Sequence, residues 1–126
     1  MPVHPKNVNI LVVDDLEPNH RIMKKIIEPF GYQLDHAHDG REAIIKLQRK
    51  NFDLCFTDIH MPHIDGIVMV DYVRIDMGLT LPIVLLAGTA DLEERNIALG
   101  VGMDEFILKP LQADQVRSIL QRYIPA

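Results

Sequence analysis

The chain has 126 residues, of which 48% are hydrophobic and 25% are charged, a size and composition that suit a single folded domain with its own core. Eighteen acidic residues against thirteen basic ones give a formal net charge of −5, which argues against nonspecific nucleic-acid binding. No stretch approaches the ~20 apolar residues of a membrane span, and the N-terminus lacks the pattern of a signal peptide. The one cysteine, Cys55, excludes an internal disulfide. We therefore expect residues 1–126 to form a single cytoplasmic domain with neither nucleic-acid nor membrane partners.

Five short segments are predicted to be strands. Most are continuous runs rich in Ile, Val and Leu, which is typical of strands that are buried on both faces of a parallel sheet. The segments are residues 10–13, 33–37, 54–57, 83–86 and 106–108, and the pattern is weakest in residues 33–37.

Helical patterns lie between these strands. Pro18 suits the first turn of a helix that Gly31 closes, and Asp39 and Asp91 each begin a capping-box pattern ahead of a helix. The last helix covers about residues 113–123. The residues expected on the inner faces of the helices are Ile22, Ile26, Ile27, Ala43, Ile44, Leu47, Ile97, Ala98, Val116, Ile119, Leu120 and Tyr123. The regular alternation of strands and helices predicts an open parallel sheet with right-handed crossovers.

Charged residues follow three of the predicted strands. Asp14 and Asp15 follow the first, Asp58 follows the third and Lys109 follows the fifth. Because ligands of doubly wound sheets bind at the carboxyl ends of the strands, these side chains are expected at one site. Two carboxylates ~4 Å apart repel by about 4 kcal/mol at an effective dielectric near 20, so the cluster favours a hard cation such as Mg²⁺. The pattern thus indicates a divalent-metal and phosphoryl site; the alternative is a set of helix caps and solvated loop residues.

Three segments together resemble the motifs of response-regulator receiver domains. They are residues 12–15 (Val-Val-Asp-Asp), residues 58–66 (Asp-Ile-His-Met-Pro-His-Ile-Asp-Gly) and Lys109-Pro110, and Gly102 also fits the family's spacing. The resemblance covers about residues 9–123, which we take as the core of the domain. It implies a flavodoxin-like, doubly wound five-stranded parallel sheet in the order 2-1-3-4-5, with helices on both faces.

The resemblance also implies a phosphoryl-transfer site. Asp58 would be the phosphoacceptor, whose carboxylate attacks the phosphorus of a phosphohistidine and becomes an aspartyl phosphate. Mg²⁺ would be the cofactor, bound directly by Asp15 and Asp58, through water by Asp14, and by the backbone carbonyl of His60. The implied partner is a sensor histidine kinase or a histidine phosphotransfer protein. Such a domain would not be an enzyme beyond its own phosphorylation and slow autodephosphorylation.

Three further residues have roles implied by the family. Lys109 would neutralise a phosphoryl oxygen, and the peptide bond before Pro110 is expected to be cis. Gly66 is expected to allow a positive φ in the loop beyond Asp58.

The chain departs from the family pattern at the end of the fourth strand. The family has Thr or Ser where this chain has Ala87, and the missing hydroxyl removes a hydrogen bond worth roughly 0.5–1.5 kcal/mol. We therefore expect a receiver that can still be phosphorylated but has an altered switch. Thr89 either reaches into the site or is an exposed loop residue. Phe106 is either an aromatic switch residue or a core residue of the fifth strand.

The six histidines do not have the spacing of a zinc site. They are scattered at positions 4, 20, 36, 38, 60 and 63. The side chain of His60 either influences how long the phosphoryl group survives or is an exposed loop side chain.

Three functions from different classes stay open. The first is a phosphoacceptor module that engages a downstream protein through the fourth helix, fifth strand and fifth helix. The second is a degenerate receiver that acts as a phosphorylation-independent protein-interaction module; Ala87 supports it and the intact acid–lysine set opposes it. The third, a Mg²⁺-dependent phosphatase, lacks room for a substrate-enclosing cap. The chain is either a stand-alone protein or an excised piece of a sensor kinase. An asparagine four residues after Asp15, here Asn19, resembles the pattern of receivers attached to hybrid kinases.

Overall fold

Strands and helices alternate strictly along the chain. The computed structural model describes residues 4–88 and 91–124, and in these ranges it contains five strands, five α-helices and two short 3₁₀ turns. The strands are β1 (Asn9–Val13), β2 (Gln33–Ala37), β3 (Leu54–Thr57), β4 (Ile83–Ala87) and β5 (Glu105–Leu108). The helices are α1 (Glu17–Ile27), α2 (Gly40–Arg49), α3 (Gly66–Ile75), α4 (Leu92–Gly100) and α5 (Ala113–Tyr123). The 3₁₀ turns are Pro5–Asn7 and Glu28–Phe30.

All five strands are parallel and form one sheet in the order β2-β1-β3-β4-β5. This confirms the expected flavodoxin-like topology. The register aligns the carboxyl ends of the inner strands, since Val13 of β1 lies beside Thr57 of β3, and Ala87 of β4 lies beside Leu108 of β5. The residues that follow these strands therefore meet at one edge of the sheet, where the order of the strands reverses.

Each face of the sheet packs against its own layer of helices. Alternate residues of a strand point to opposite faces, so Leu11 and Val13 belong to the cluster that contains residues of α2, α3 and α4. Ile10 and Val12 belong to the other cluster, with residues of α1 and α5. Burial on both faces explains why these strands are continuous apolar runs without a polar alternation. In the described part of the chain, no helix has both the length and the apolar character that a bilayer crossing requires.

In each of two helices, one residue expected on the inner face lies outside it. In α1, His20, Met23 and Ile27 are buried, whereas Ile22 is exposed. In α4, Ala98 is buried but Ile97 is half exposed. The prediction was wrong for both isoleucines because side-chain hydrophobicity alone does not fix the rotation of a short helix on a sheet. The contacts of neighbouring elements decide which residues face inward.

The other helix predictions agree better with the structure. The side chain of Asp39 accepts a hydrogen bond from the backbone N–H of Glu42, as an N-cap does. The box is not reciprocal, because the Glu42 carboxylate accepts from the N–H of His38 and not from that of Asp39. Helix α5 has the expected bounds, and its Val116, Ile119 and Leu120 are buried.

Candidate functional site

Three carboxylates meet at the carboxyl ends of β1 and β3. Asp14 and Asp15 follow β1, Asp58 follows β3, and one oxygen of each lies within 4.8 Å of the others. Asp14 is fully buried, Asp58 is nearly so, and Asp15 is exposed. Two unit charges at this separation repel by about 3–4 kcal/mol at an effective dielectric of 20, so the cluster requires a compensating cation.

Lys109 is the cation that the chain itself supplies. Its Nζ lies 3.1 Å from Oδ2 of Asp14 and 3.0 Å from Oδ2 of Asp58. Burial opposes the positive charge of this ammonium group, but the hydrogen bonds and negative charges of Asp58 and Asp14 outweigh that effect, so the pKa of Lys109 is raised. The backbone places Lys109 here directly after β5, where its N–H donates to the carbonyl oxygen of Ala87 at 2.8 Å. The peptide bond between Lys109 and Pro110 is cis.

The three carboxylates differ in how fully the protein holds them. Asp14 accepts from the N–H of Leu16 on Oδ1 at 2.9 Å and from Nδ2 of Asn19 on Oδ2 at 3.0 Å, in addition to Lys109. Asp58 accepts from the N–H of Ile59 on Oδ1 at 2.7 Å. The carboxylate of Asp15 has no hydrogen-bond donor within the described residues and is open to solvent.

The donor set fits a hard divalent cation. Carboxylate oxygens are the ligands that Mg²⁺ prefers, and one or two of them with several waters make a typical site. Asp15 and Asp58 have unshared oxygen lone pairs to offer, whereas those of Asp14 are largely occupied by protein donors. Asp14 is therefore better suited to act through water than to bind a metal directly.

Gly66 brings the first turn of α3 against the backbone of Asp58. A Cβ at this position would lie 2.1 Å from the carbonyl oxygen of Asp58 and 2.9 Å from Cα of Ile59. The N–H of Gly66 donates to the carbonyl of Ile59 at 2.8 Å. The prediction of a positive φ at Gly66 is wrong; in this loop the positive φ falls on His63, at 69°. Glycine is required here for close approach and not for a left-handed conformation.

The residues considered as switch elements lie at the β4 and β5 side of the site. Ala87 is the buried last residue of β4 and accepts the N–H of Lys109, so the site lacks a side-chain hydroxyl at this point. Thr89 lies outside the described residues. Phe106 is partly buried in the α2/α3/α4 cluster, and the guanidinium carbon of Arg95 lies 3.6 Å from the centre of its ring. The guanidinium of Arg95 thus stacks on Phe106, while its Nε is buried without a hydrogen-bond partner in the described structure.

His60 connects the loop after β3 to α4. Its side chain is exposed, and its Nε2 lies 3.0 Å from Oε2 of Glu94. The imidazole thus pairs with a carboxylate of α4 and is separate from the cluster of three aspartates.

Sequence reasoning missed two residues that support this site. Asn19 binds the Asp14 carboxylate from α1, and Nε2 of the buried His20 lies 2.6 Å from the backbone oxygen of Asp14. Both residues follow Asp14 and Asp15 by about one helical turn. For Asn19, a polar residue, this spacing could have indicated a contact with the acid pair. A histidine in a helix gives no such signal, because burial of His20 depends on its packing against β2.

A family model described as "Response regulator receiver domain" matches residues 10–121. The chain is 35% identical over 114 residues to the sensor histidine kinase RcsC of Escherichia coli (strain K12), a match that covers 90% of this chain and 12% of that protein. The chain spans only 10–17% of the length of the first curated relatives that it matches.

Solved structures share the fold over nearly the whole chain. The signal receiver domain of a signal transduction histidine kinase from Syntrophus aciditrophicus has a TM-score of 0.82 and 32% identity, covering 93% of this chain and 89% of that one. The receiver domain of a sensor histidine kinase from Pseudomonas aeruginosa PAO1, with a magnesium ion coordinated in its active site cleft, has a TM-score of 0.83 and 27% identity, covering 92% and 96%. With its sheet order, its aspartate cluster and the match of residues 10–121, the chain belongs to the response regulator receiver domain family.

Proposed function

We propose that this domain accepts a phosphoryl group on Asp58 in two-component or phosphorelay signalling. The observation that carries the proposal is the position of Lys109, whose ammonium group bridges Asp14 and Asp58 while Asp15 stays open to solvent. A partly buried cation beside a nearly buried carboxylate, with two further acids next to them, suits charge neutralisation at a phosphoryl group.

The reaction is a displacement at phosphorus. A carboxylate oxygen of Asp58 attacks the phosphorus of a phosphohistidine, a P–O bond forms, and the P–N bond to the donor imidazole breaks. The electron pair of the broken bond stays on the imidazole nitrogen, which takes up a proton from solvent. Lys109 turns from Oδ2 of Asp58 toward a phosphoryl oxygen, and the N–H of Ile59 keeps the Asp58 carboxylate oriented.

Asp15 and Asp58 are the residues proposed to hold Mg²⁺, with Asp14 acting through water and the carbonyl of His60 as a further ligand. When bound, Mg²⁺ supplies positive charge that offsets the charge on the phosphoryl oxygens. The magnesium ion in the related Pseudomonas structure supports this assignment. The hydrogen bonds from the N–H of Leu16 and from Nδ2 of Asn19 hold the Asp14 carboxylate in place. One carboxylate of the cluster would therefore stay immobile when the other two bind the metal.

The output switch is proposed to be altered by Ala87. A hydroxyl at this position would accept or donate a hydrogen bond beside Lys109, and the methyl group of alanine cannot. Phosphorylation would then move the following loop less than it does in receivers with Thr or Ser, and Phe106 would stay held under Arg95. The surface formed by α4, β5 and α5 is the proposed contact for a downstream protein.

The proposed donor is a sensor histidine kinase or a histidine phosphotransfer protein, in the cytoplasm where the kinase obtains ATP. Relatives that are sensor histidine kinases support this choice. No external substrate is proposed, so turnover is limited to phosphorylation of Asp58 and its slow hydrolysis.

Acetyl phosphate tests the proposal without knowledge of the kinase. The full chain is incubated with acetyl phosphate with and without Mg²⁺, and the intact mass is measured, with Asp58→Asn as the matched control. We expect a Mg²⁺-dependent gain of one phosphoryl group that is absent in the variant. A folded chain that gains no phosphoryl group would contradict the proposal and favour the second candidate, an interaction module that works without phosphorylation, to which Ala87 points.

A further inference from the structure

Three histidines, from α1, from β2 and from the loop that follows β2, meet on the α1 side of the sheet, where His20 contacts the backbone oxygen of Asp14. Nδ1 of His20, in α1, lies 2.7 Å from Nδ1 of His36, in β2. The ring centres of His20 and His36 are 4.8 Å apart, and those of His20 and His38 are 4.5 Å apart. His20 is buried, His36 is partly buried and His38 is half exposed. The proposed phosphoryl chemistry uses none of these rings.

The hydrogen bonds determine the tautomers of His20 and His36. Its Nε2 lies 2.6 Å from the backbone oxygen of Asp14, and a carbonyl can only accept, so Nε2 carries the hydrogen. In the neutral ring, Nδ1 of His20 is therefore an acceptor, and Nδ1 of His36, 2.7 Å away, carries the hydrogen that it donates to this lone pair. A histidine that donates one N–H to a backbone carbonyl and presents its other nitrogen is the arrangement found for metal ligands.

Acidic groups surround the open side of this cluster. Nε2 of His38 lies 3.0 Å from Oε2 of Glu17, and its Nδ1 lies 3.6 Å from Oε2 of Glu42. The positive charge of Lys46 faces the same region, where it pairs with Glu42 at 3.5 Å and contacts the carbonyl of His36. A divalent cation that enters past the half-exposed ring of His38 thus meets two carboxylates and one ammonium group.

We propose that His20 and His36 bind a borderline-soft divalent ion of the Zn²⁺ class, with His38 as the third ligand. Zn²⁺ prefers imidazole nitrogen, whereas Mg²⁺ prefers oxygen, so this site and the carboxylate cluster select different metals.

Two small movements and one change of tautomer convert the present geometry into a metal site. The hydrogen on Nδ1 of His36 is lost to solvent and Nε2 of the same ring takes one up, so that the Nδ1 lone pairs of both rings can bind the metal. With Zn–N bonds of ~2.0–2.1 Å in a tetrahedron, the two nitrogens lie roughly 3.3 Å apart, so the rings separate by about 0.6 Å from the contact in the structure. No third histidine, cysteine or carboxylate atom of the described residues lies within 4.8 Å of both nitrogens, so His38 must rotate away from Glu17. Such a rotation is fast for an exposed side chain.

Co²⁺ is the probe for this site, because tetrahedral nitrogen ligation gives it strong visible absorption. The full chain is titrated with Co²⁺ in excess Mg²⁺, which competes for carboxylate oxygens and not for imidazole nitrogens. We expect saturable binding of one ion per chain in the wild type. His36→Ala should weaken binding by about tenfold or more, as should His38→Ala. The matched control is His4→Ala, which removes an exposed histidine near the opposite end of β1 and should leave binding unchanged.

A second measurement on the wild type does not depend on the folding of any variant. Titration with Zn²⁺ should shift the ¹⁵N resonances of Nδ1 in His20 and His36 and leave those of His4 unchanged. Absence of saturable Co²⁺ binding, or Zn²⁺ shifts that spare His20 and His36, would overturn the proposal. Unchanged binding in His38→Ala would overturn the role of His38 as third ligand.

Discussion

Replacing Lys109 by methionine should destabilise the domain more than any exposed lysine replacement. The substitution keeps most of the side-chain volume but removes the ammonium group that bridges the carboxylates of Asp14 and Asp58, which are 0% and 12% exposed. Removing one partner of a buried ion pair costs about 3–5 kcal/mol, because the other charge stays buried without compensation. The Lys109 side chain is 19% exposed, so solvent screens part of this effect. We therefore expect the free energy of unfolding to fall by about 2–4 kcal/mol.

The assay is urea unfolding at neutral pH, followed by circular dichroism, first in EDTA and then with Mg²⁺. A bound cation replaces part of the lost positive charge, and a ligand at 100 times its dissociation constant stabilises the folded state by about 2.7 kcal/mol. Mg²⁺ should therefore stabilise Lys109→Met at least as much as it stabilises the wild type. The matched control is Lys50→Met, which breaks an exposed pair with Asp35 whose side chains are 41% and 32% exposed. That control should lose less than about 1 kcal/mol.

Equal losses in Lys109→Met and Lys50→Met would refute this reasoning. The same loss would show that the carboxylates of Asp14 and Asp58 do not depend on Lys109 for compensation. If Mg²⁺ stabilised neither the wild type nor Lys109→Met, the assignment of a cation to the carboxylate cluster would be refuted.

Three further predictions concern single positions. Gly66→Ala forces a Cβ to within 2.1 Å of the carbonyl oxygen of Asp58 and should lower the free energy of unfolding by about 1–3 kcal/mol or more. In the control Gly100→Ala, the new Cβ meets nothing within 4 Å, and the free energy of unfolding should change by at most about 1 kcal/mol. Equal urea midpoints for the two variants would contradict this prediction. Burial raises the pKa of the Cys55 thiol to about 12. At pH 8, iodoacetamide should therefore alkylate the folded chain roughly a thousandfold more slowly than the unfolded chain. Similar rates for the folded and unfolded chains would count against a buried thiol. Ala87→Thr should enlarge the change in NMR shifts near Phe106 when acetyl phosphate and Mg²⁺ are added; equal changes in the wild type would sink the proposal of an altered switch.

The sheet was predictable from the sequence because its strands are buried on both faces. A run such as residues 54–57 is apolar throughout, and the observed β3 has the same bounds. The end of β4 was predicted one residue early, because Ala87 lies next to glycine and carries little strand signal. The half-exposed β2 was predicted in the right place even though its hydrophobic pattern is the weakest.

The positions of the charged side chains were also predictable, since parallel strands bring residues at their carboxyl ends to one edge. Asp14, Asp58 and Lys109 meet there because the register of the sheet is set by the apolar runs. What the sequence could not show were contacts that depend on how a helix packs against the sheet. The pairing of His20 with His36 depends on how α1 rotates on β2, and the stacking of Arg95 on Phe106 depends on where α4 lies.

The close approach at Gly66 is a different kind of failure. Glycine has two structural uses, a positive φ and the absence of a Cβ, and the sequence alone does not say which one applies. The loop places the positive φ on His63 and uses Gly66 to bring α3 against Asp58.

The measurement that tests the central claim most directly is identification of the phosphorylated residue in the wild-type chain. After reaction with acetyl phosphate and Mg²⁺, borohydride reduces an aspartyl phosphate to an alcohol, and peptide mass mapping then locates the reduced residue. We predict that the reduced residue is Asp58, with Asp14 and Asp15 unmodified. Reduction at Asp14 or Asp15, or at no residue of a folded and metal-loaded chain, would contradict the assignment of Asp58 as phosphoacceptor.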